Sequence, residues 1–326
     1  ECEAKQIIHV FDEKINTQGI NVKLGCSIGI TTYPNDHLDN SKQLIHNADS
    51  ALYKAKDLGR NTFFCFNDDI RKEMLFEREV KNKLLGAIEN NSLDIYFQPL
   101  INIQKNTITG FEALLRWHDD ELGWIAPDVF IPIAEKMGVI FDIDTWVFTQ
   151  AVKQVDMWRD VYHEDFIVSI NFSPTNFYHN KFSTWIDGND MATVSNMDWI
   201  ELEITERLVL NNDPIVLSAI AKLRAKGIQF SIDDFGIGYS SLGYIKNFSD
   251  VLCKIKIDQK FIKEILFSDF DIAFVKSIMM LSDTLNLKVL AEGVEEKGQI
   301  ELLKKLGCKY VQGFYFSKPL PADKIG

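Results

Sequence analysis

Apolar positions recur at helical spacing at the start of the chain. Ala4, Ile7, Ile8, Phe11 and Ile15 share one face and predict a helix over residues 2–16. The denser run NVKLGCSIGITTY follows and reads as a strand, with a turn at PNDHLDN. Helical spacing returns from about Ser41 through Leu44, Ile45, Ala48, Leu52 and Ala55, and Gly59 marks the stop. NTFFCF predicts a second strand. Residues 1–67 thus form a helix–strand–helix–strand unit, and residues 68–91 a polar helical linker.

From Ser92 the apolar runs become short and regular. LDIYFQPL and ITGFEALLRW are two strands joined by the link INIQKN, too short for a parallel crossover, so they predict an antiparallel hairpin. FIVSINFS, WIELEIT, IQFSIDDF, VLCKIKID, LKVLAEGV and YVQGFYF then alternate with helical segments. One of those helices has Asp213 as its N-cap, Pro214 at its first position and Gly227 at its end. The expected fold class is α/β: a TIM-like (β/α)8 barrel over residues 92–326 whose first strand runs backwards, preceded by a partial α+β domain.

Composition narrows the function. A net charge of −12 argues against a nucleic-acid polymer as partner, though bound cations can reverse the local sign at a site. No apolar run approaches the roughly 20 residues that cross a bilayer, and no signal-peptide pattern opens the chain. The five cysteines are dispersed without a CxxC pair, which suits free thiols in the cytoplasm. The chain starts without Met, so it reads as an excised piece that leaves room for an anchor upstream; with the free thiols, the expected location is the cytoplasm, on its own or as the cytoplasmic part of a membrane-anchored protein.

The predicted strands deliver Glu112, Asn171, Glu203, Asp233, Asp234, Lys256, Glu292 and Gln312 to the same end of the barrel, where barrel enzymes do their chemistry. Taken alone, Asp233–Asp234 could be a solvated turn, Asn171 an Asx turn, and Lys256 a lysine reaching to solvent. Together they are a set of hard oxygen donors without His or Cys, suited to Mg2+ or Mn2+. Neighbouring carboxylates can share two such ions, as in metal-assisted phosphodiester hydrolysis.

FEALLRW, NFSP, ELEITE, DDFGIGYSSL, KIDQKF, AEGVE and QGFYFSKP, in that order, resemble the EAL-domain cyclic di-GMP phosphodiesterases over residues 92–322. CSIGITTYP and ADSALYKAKDLGRN resemble the C-terminal half of a GGDEF domain. The first resemblance implies two Mg2+ or Mn2+ ions on Glu112, Asn171, Glu203, Asp233, Asp234 and Glu292, with Asp233 bridging. Lys256 would polarise the attacking water, with Glu292 helping to take its proton. Gln98, Leu114 and Arg116 would hold the dinucleotide, and Gln312 would complete the rim. Glu206 and Glu295 would brace the loop after Asp234, where a homodimer partner meets the site. The implied product is linear pGpG.

Two departures mark this chain. Ile237 stands where the family usually has Thr, and the segment between Tyr244 and Lys256 is two residues longer, which makes Lys254 a rival for the lysine role. The GGDEF turn is absent, so cyclase activity is not expected. A silent cyclic di-GMP receptor is the alternative to an enzyme, but such receptors typically lose metal ligands and none is lost here.

Overall fold

The computed structural model describes residues 2–11, 15–17, 20–33, 41–188, 197–210, 213–236, 248 and 250–325. The chain divides into two compact units, residues 1–83 and 84–326.

In the first unit, helix α1 spans Cys2–Val10, and strands β1 (Ile15–Thr17) and β2 (Ile20–Val22) pair antiparallel. The helix expected to reach residue 16 is therefore shorter. The sequence INTQGINV places β-branched residues on either side of a Gln-Gly pair, and hairpin pairing outcompetes helical spacing there. The single strand expected over residues 21–33 is likewise divided: β2 ends at Val22 and β3 covers Ile28–Ile30. Helix α2 (Ser41–Asp57) follows, and β4 (Phe63–Cys65) pairs parallel with β3. Gly29 lets the α2 backbone approach, since a Cβ there would lie 2.0 Å from the Ala48 carbonyl oxygen. The small core joins Ala51, Phe66 and Ile70, with Phe64 and Met74 against it. Ile70 and Met74 belong to α3 (Asp68–Leu84), so the first turns of the expected linker helix pack onto this unit.

In the second unit, β5 (Leu93–Asn102) and β6 (Thr107–Asp119) form the expected hairpin, extended by β7 (Gly123–Ile125). Helices α4 (Pro127–Met137) and α5 (Ile140–Tyr162) lead to β8 (Ile167–Asn171), then a 3-10 turn at Pro174–Tyr178 and α6 (Phe182–Asp187). Next come β9 (Ile200–Thr205), α7 (Glu206–Leu210), α8 (Pro214–Ala225) and β10 (Gln229–Phe235). The remainder runs β11 (Leu252–Ile257), α9 (Gln259–Lys263), α10 (Asp269–Leu285), β12 (Lys288–Ala291), α11 (Lys297–Lys305), β13 (Tyr310–Val311) and β14 (Leu320–Pro321).

Strands β6, β8, β9, β10, β11, β12 and β13 run parallel, and β5 closes the barrel antiparallel to both β6 and β13. The expected eight-strand barrel with a reversed first strand is what forms. The last strand is shorter than YVQGFYF suggested, because the chain turns after Val311. The caps of α8 are as expected: Asp213 accepts from the Ile215 N–H at 2.8 Å, and Gly227 takes φ 100°. Outward-facing aromatic residues pack on the helical layer, with the Trp158 ring of α5 centred 4.9 Å from Phe97 and 4.8 Å from Phe111. Among the described residues no helix is long and apolar enough to cross a membrane.

Candidate functional site

Alternation along the barrel strands sends apolar residues out to the helices and polar residues inward. In β9, Ile200, Leu202 and Ile204 are buried, and Glu201 and Glu203 between them are buried as well, so this strand carries two acids into the barrel. Register then stacks the inward groups. Glu112 lies beside Ser169, Asn171 beside Glu203, and Ser231 beside both Glu203 and Lys254.

The layer nearest the carboxyl ends of the strands centres on Lys256, which is 1% exposed. Its Nζ lies 2.5 Å from Glu203, 2.8 Å from Glu292, 3.0 Å from Asp233 and 3.5 Å from Glu112. Burial opposes its charge, but these four carboxylates hold the ammonium protonated well above the ordinary lysine range. One cation cannot neutralise four anions, so protons cover part of the deficit. Burial and Glu112 raise Glu203 well above the usual carboxylate range. Burial, with Asp233 and Glu112, pushes Glu292 up to about 8 despite Lys256.

Glu112 is held from both sides. Gln312 Nε2 donates to its Oε2 at 2.6 Å, and Asn171 Nδ2 donates to its Oε1 at 3.1 Å. Gln98 accepts from the same Gln312 amide at 2.9 Å and donates to the Ser317 carbonyl at 3.0 Å. Asp234 follows Asp233 at φ 53°, a left-handed conformation that turns its carboxyl to the surface. Burial, Asp233 and Asp258 push it up to about 6. Gly236 sits at φ 101°, where a Cβ would meet the Phe274 and Phe261 rings at 2.5 and 2.7 Å, so packing as well as dihedral demands glycine.

Oxygens of Asp233, Asp234 and Glu292 lie within 4.8 Å of one another. Among the described residues the buried Glu203 Oε1 and Gln312 Oε1 have no hydrogen-bond partner, so oxygen donors in this cluster are unspent. Two clefts flank it. One of about 200 Å3 is lined by Gln98, Glu112, Leu114, Asp234, Glu292 and Gln312. The other, about 330 Å3, reaches from Asn171, Glu203 and Asp233 past Leu114 to Arg116. The Arg116 guanidinium lies 5.7 Å from the Tyr96 ring centre. A larger groove of about 510 Å3, between Tyr178 and Pro214, has no carboxylate in its lining.

Every strand-end residue singled out from the sequence reaches this region. Of the rival lysines, Lys256 enters the carboxylate ring, whereas Lys254 pairs with Glu201 one layer below, at 2.6 Å. Glu206 lies not on the strand but at the first position of α7, and its Oε2 accepts from Gly236 N–H at 3.4 Å. Glu295 is exposed and lines the smaller cleft. Ile237 and most of the longer 245–255 segment's first half lie outside the described residues. Sequence reading passed over Asp258, which lines the smaller cleft and caps α9 by accepting from Lys260 N–H at 3.0 Å; it stands in the KID motif itself. It also passed over Asp144, an acid on the apolar face of α5.

Residues 81–319 match the EAL domain family, and residues 2–62 match the diguanylate cyclase GGDEF domain family. The chain is 35% identical over 322 residues to the bifunctional diguanylate cyclase/cyclic di-GMP phosphodiesterase MucR of Pseudomonas aeruginosa, covering 99% of this chain and 47% of that protein. It is 35% identical over 305 residues to the cyclic di-GMP phosphodiesterase PdeR of Escherichia coli, covering 93% and 45%. It thus spans a little under half the length of these relatives. A solved structure of the PaMucR phosphodiesterase in complex with c-di-GMP superposes with a TM-score of 0.71 at 36% identity, covering 76% of this chain and all of that one. With a matched segment that takes in the whole barrel and its ring of acids, the chain belongs to the EAL domain family.

Proposed function

We propose that the chain hydrolyses cyclic di-GMP to linear pGpG with the help of two Mg2+ or Mn2+ ions. The observation that carries this reading is the ring of Glu112, Glu203, Asp233 and Glu292 around Lys256, flanked by two clefts. The relatives' names and the cyclic di-GMP complex support the substrate.

The residues fit divalent cations: a hard, oxygen-only donor set in which buried oxygens of Glu203 and Gln312 have no partner among the described residues. Glu112, Asn171, Glu203, Asp233, Asp234 and Glu292 would hold them. When bound, such ions neutralise phosphodiester charge and lower the pKa of water toward neutrality. Arg116 offers a guanidinium to the dinucleotide from the larger cleft, and Gln98 and Leu114 shape the smaller one. Gln312 and Asn171 keep the Glu112 carboxylate fixed. Lys256 orients the attacking water and Glu292 accepts its proton. Water oxygen bonds to phosphorus as the P–O bond to one 3′-oxygen breaks, and the departing 3′-oxygen takes up a proton from solvent, leaving a 5′-phosphate and a free 3′-hydroxyl.

The test is purified protein with Mn2+ or Mg2+ and cyclic di-GMP, followed by chromatography. Appearance of pGpG supports hydrolysis; tight binding with no product in either metal makes the chain a receptor. The same reading includes cytoplasmic action and a homodimer through the barrel unit, which sedimentation tests. Residues 1–67, with 68–91 as linker, are proposed as a partial GGDEF piece without cyclase activity.

A further inference from the structure

Helix α5 buries Ile140, Phe141, Ile143, Val147 and Phe148, and among them Asp144, which is 8% exposed. A carboxyl on such a face is costly unless something uses it. No ion pair to Asp144 occurs among the described residues. Its Oδ2 instead accepts two hydrogen bonds, from Ser173 N–H at 2.9 Å and from Asn176 Nδ2 at 2.7 Å. Glu135 of α4 takes the Ser173 hydroxyl at 2.6 Å. Both helices therefore grip the segment that begins immediately after Asn171.

That segment decides where Asn171 points. Asn171 is the last residue of β8, Phe172 N–H is bonded to the Glu203 carbonyl at 3.1 Å, and Ser173 opens the 3-10 turn. The grip at Ser173 and Asn176 thus fixes the chain two and five residues beyond a side chain that donates to Glu112. Burial pushes the Asp144 carboxyl up to about 7, against the two hydrogen bonds and together with Glu135. The other charged groups around this cleft are Arg116, Asp128, Glu203 and Asp233.

We infer that Asp144 is a positioning residue: by clamping Ser173 and Asn176 it fixes the backbone that presents Asn171 to the carboxylate ring, and so sets divalent-cation affinity from helix α5. The inference rests on the cation-site reading above. Groups that orient metal ligands are worth roughly 10–100-fold in metal affinity.

The experiment is calorimetric Mn2+ titration of the whole chain, with turnover of cyclic di-GMP followed against Mn2+ concentration. Asp144→Ala is expected to weaken Mn2+ at least roughly 10-fold, with turnover recovering at high Mn2+. Asp144→Asn keeps a carbonyl acceptor and is expected to stay near wild type. If Asp144→Ala does not melt cooperatively, Asn176→Ala, which removes one arm of the clamp, decides: weaker Mn2+ binding supports the inference and unchanged binding overturns it. Wild-type protein that binds no Mn2+ overturns both the cation-site reading and this inference. Wild-type binding matched by a folded Asp144→Ala overturns the inference alone. Turnover lost in Asp144→Ala and not recovered by excess Mn2+ also overturns it.

Discussion

Lys254 and Lys256 point into the same barrel from the same strand, two residues apart, and their surroundings differ in kind. Lys254 meets one carboxylate, Glu201, at 2.6 Å, with Ser169 alongside. Burial alone would raise Glu201, but Lys254 prevails and the carboxyl ends below its usual range. The lower layer is a balanced pair. Lys256 meets four carboxylates, and two of them, Glu203 and Glu292, are raised. The upper layer has an excess of negative charge that one lysine leaves unmet. Charge balance, more than burial of the lysine, separates a structural ion pair from a site that can accept cations, because Lys256 and Glu203 are buried as deeply as Lys254 and Glu201.

The comparison breaks most directly at Glu112. Glu112→Ala removes one member of the ring and the acceptor of both Gln312 and Asn171, so turnover should fall by roughly 10³-fold or more, the scale of losing a charge-stabilising group at a reacting centre. Near-normal turnover in this variant would mean that the ring is no cation site.

The lower layer should answer through stability instead. Lys254→Met leaves Glu201 buried without its partner and should destabilise the barrel by about 3–5 kcal/mol. Adding Glu201→Leu should recover much of that loss in urea unfolding, and the double variant should keep turnover within about 3-fold once folded. A double variant as inactive as Glu112→Ala would erase the distinction between the layers.

Protons sharpen it further. Without cations, Asp234 keeps its proton up to about 6 and Glu292 up to about 8. Cations must displace those protons, so Mn2+ affinity should rise between pH 6 and pH 8, by at most about 10-fold per pH unit for each proton released. Calorimetry in buffers of different ionisation enthalpy measures that release directly. Proton-free binding across this range would show that the acids were already ionised.

Much of this was legible in the sequence. The INIQKN link fixed the hairpin, because no crossover fits in so few residues, and acids at the ends of apolar strands announced the upper layer. The lower layer was harder to see, since Glu201 and Lys254 sit away from the carboxyl ends of their strands and only register shows that both face inward beside Ser169 and Ser231. Glu206 was ambiguous for a related reason: its role depends on where β9 ends, and the strand stops at Thr205. In the first unit, three-residue strands carry too little periodicity to separate a hairpin from the end of a helix. Asp144 left a signal in IFDIDTWVF, a lone acid on an apolar helix face, but its partners lie about 30 residues away and required the fold.

The smallest expected effect belongs to Cys253, at the edge of the lower layer. Its thiol donates to Glu201 Oε2 at 3.3 Å, and burial together with Glu201 holds the thiol well above its usual range, so little thiolate forms at neutral pH. A neutral donor to an acid already neutralised by Lys254 contributes little. Cys253→Ala should therefore change stability by less than about 1 kcal/mol and leave Mn2+ affinity and turnover unchanged. Alkylation at pH 7, read by mass spectrometry, should label the exposed Cys2 well before the half-buried Cys253. Equal labelling rates would mean that the Glu201–Lys254 layer opens to solvent, and the contrast between a closed structural pair and an open cation site would then fail at its lower end.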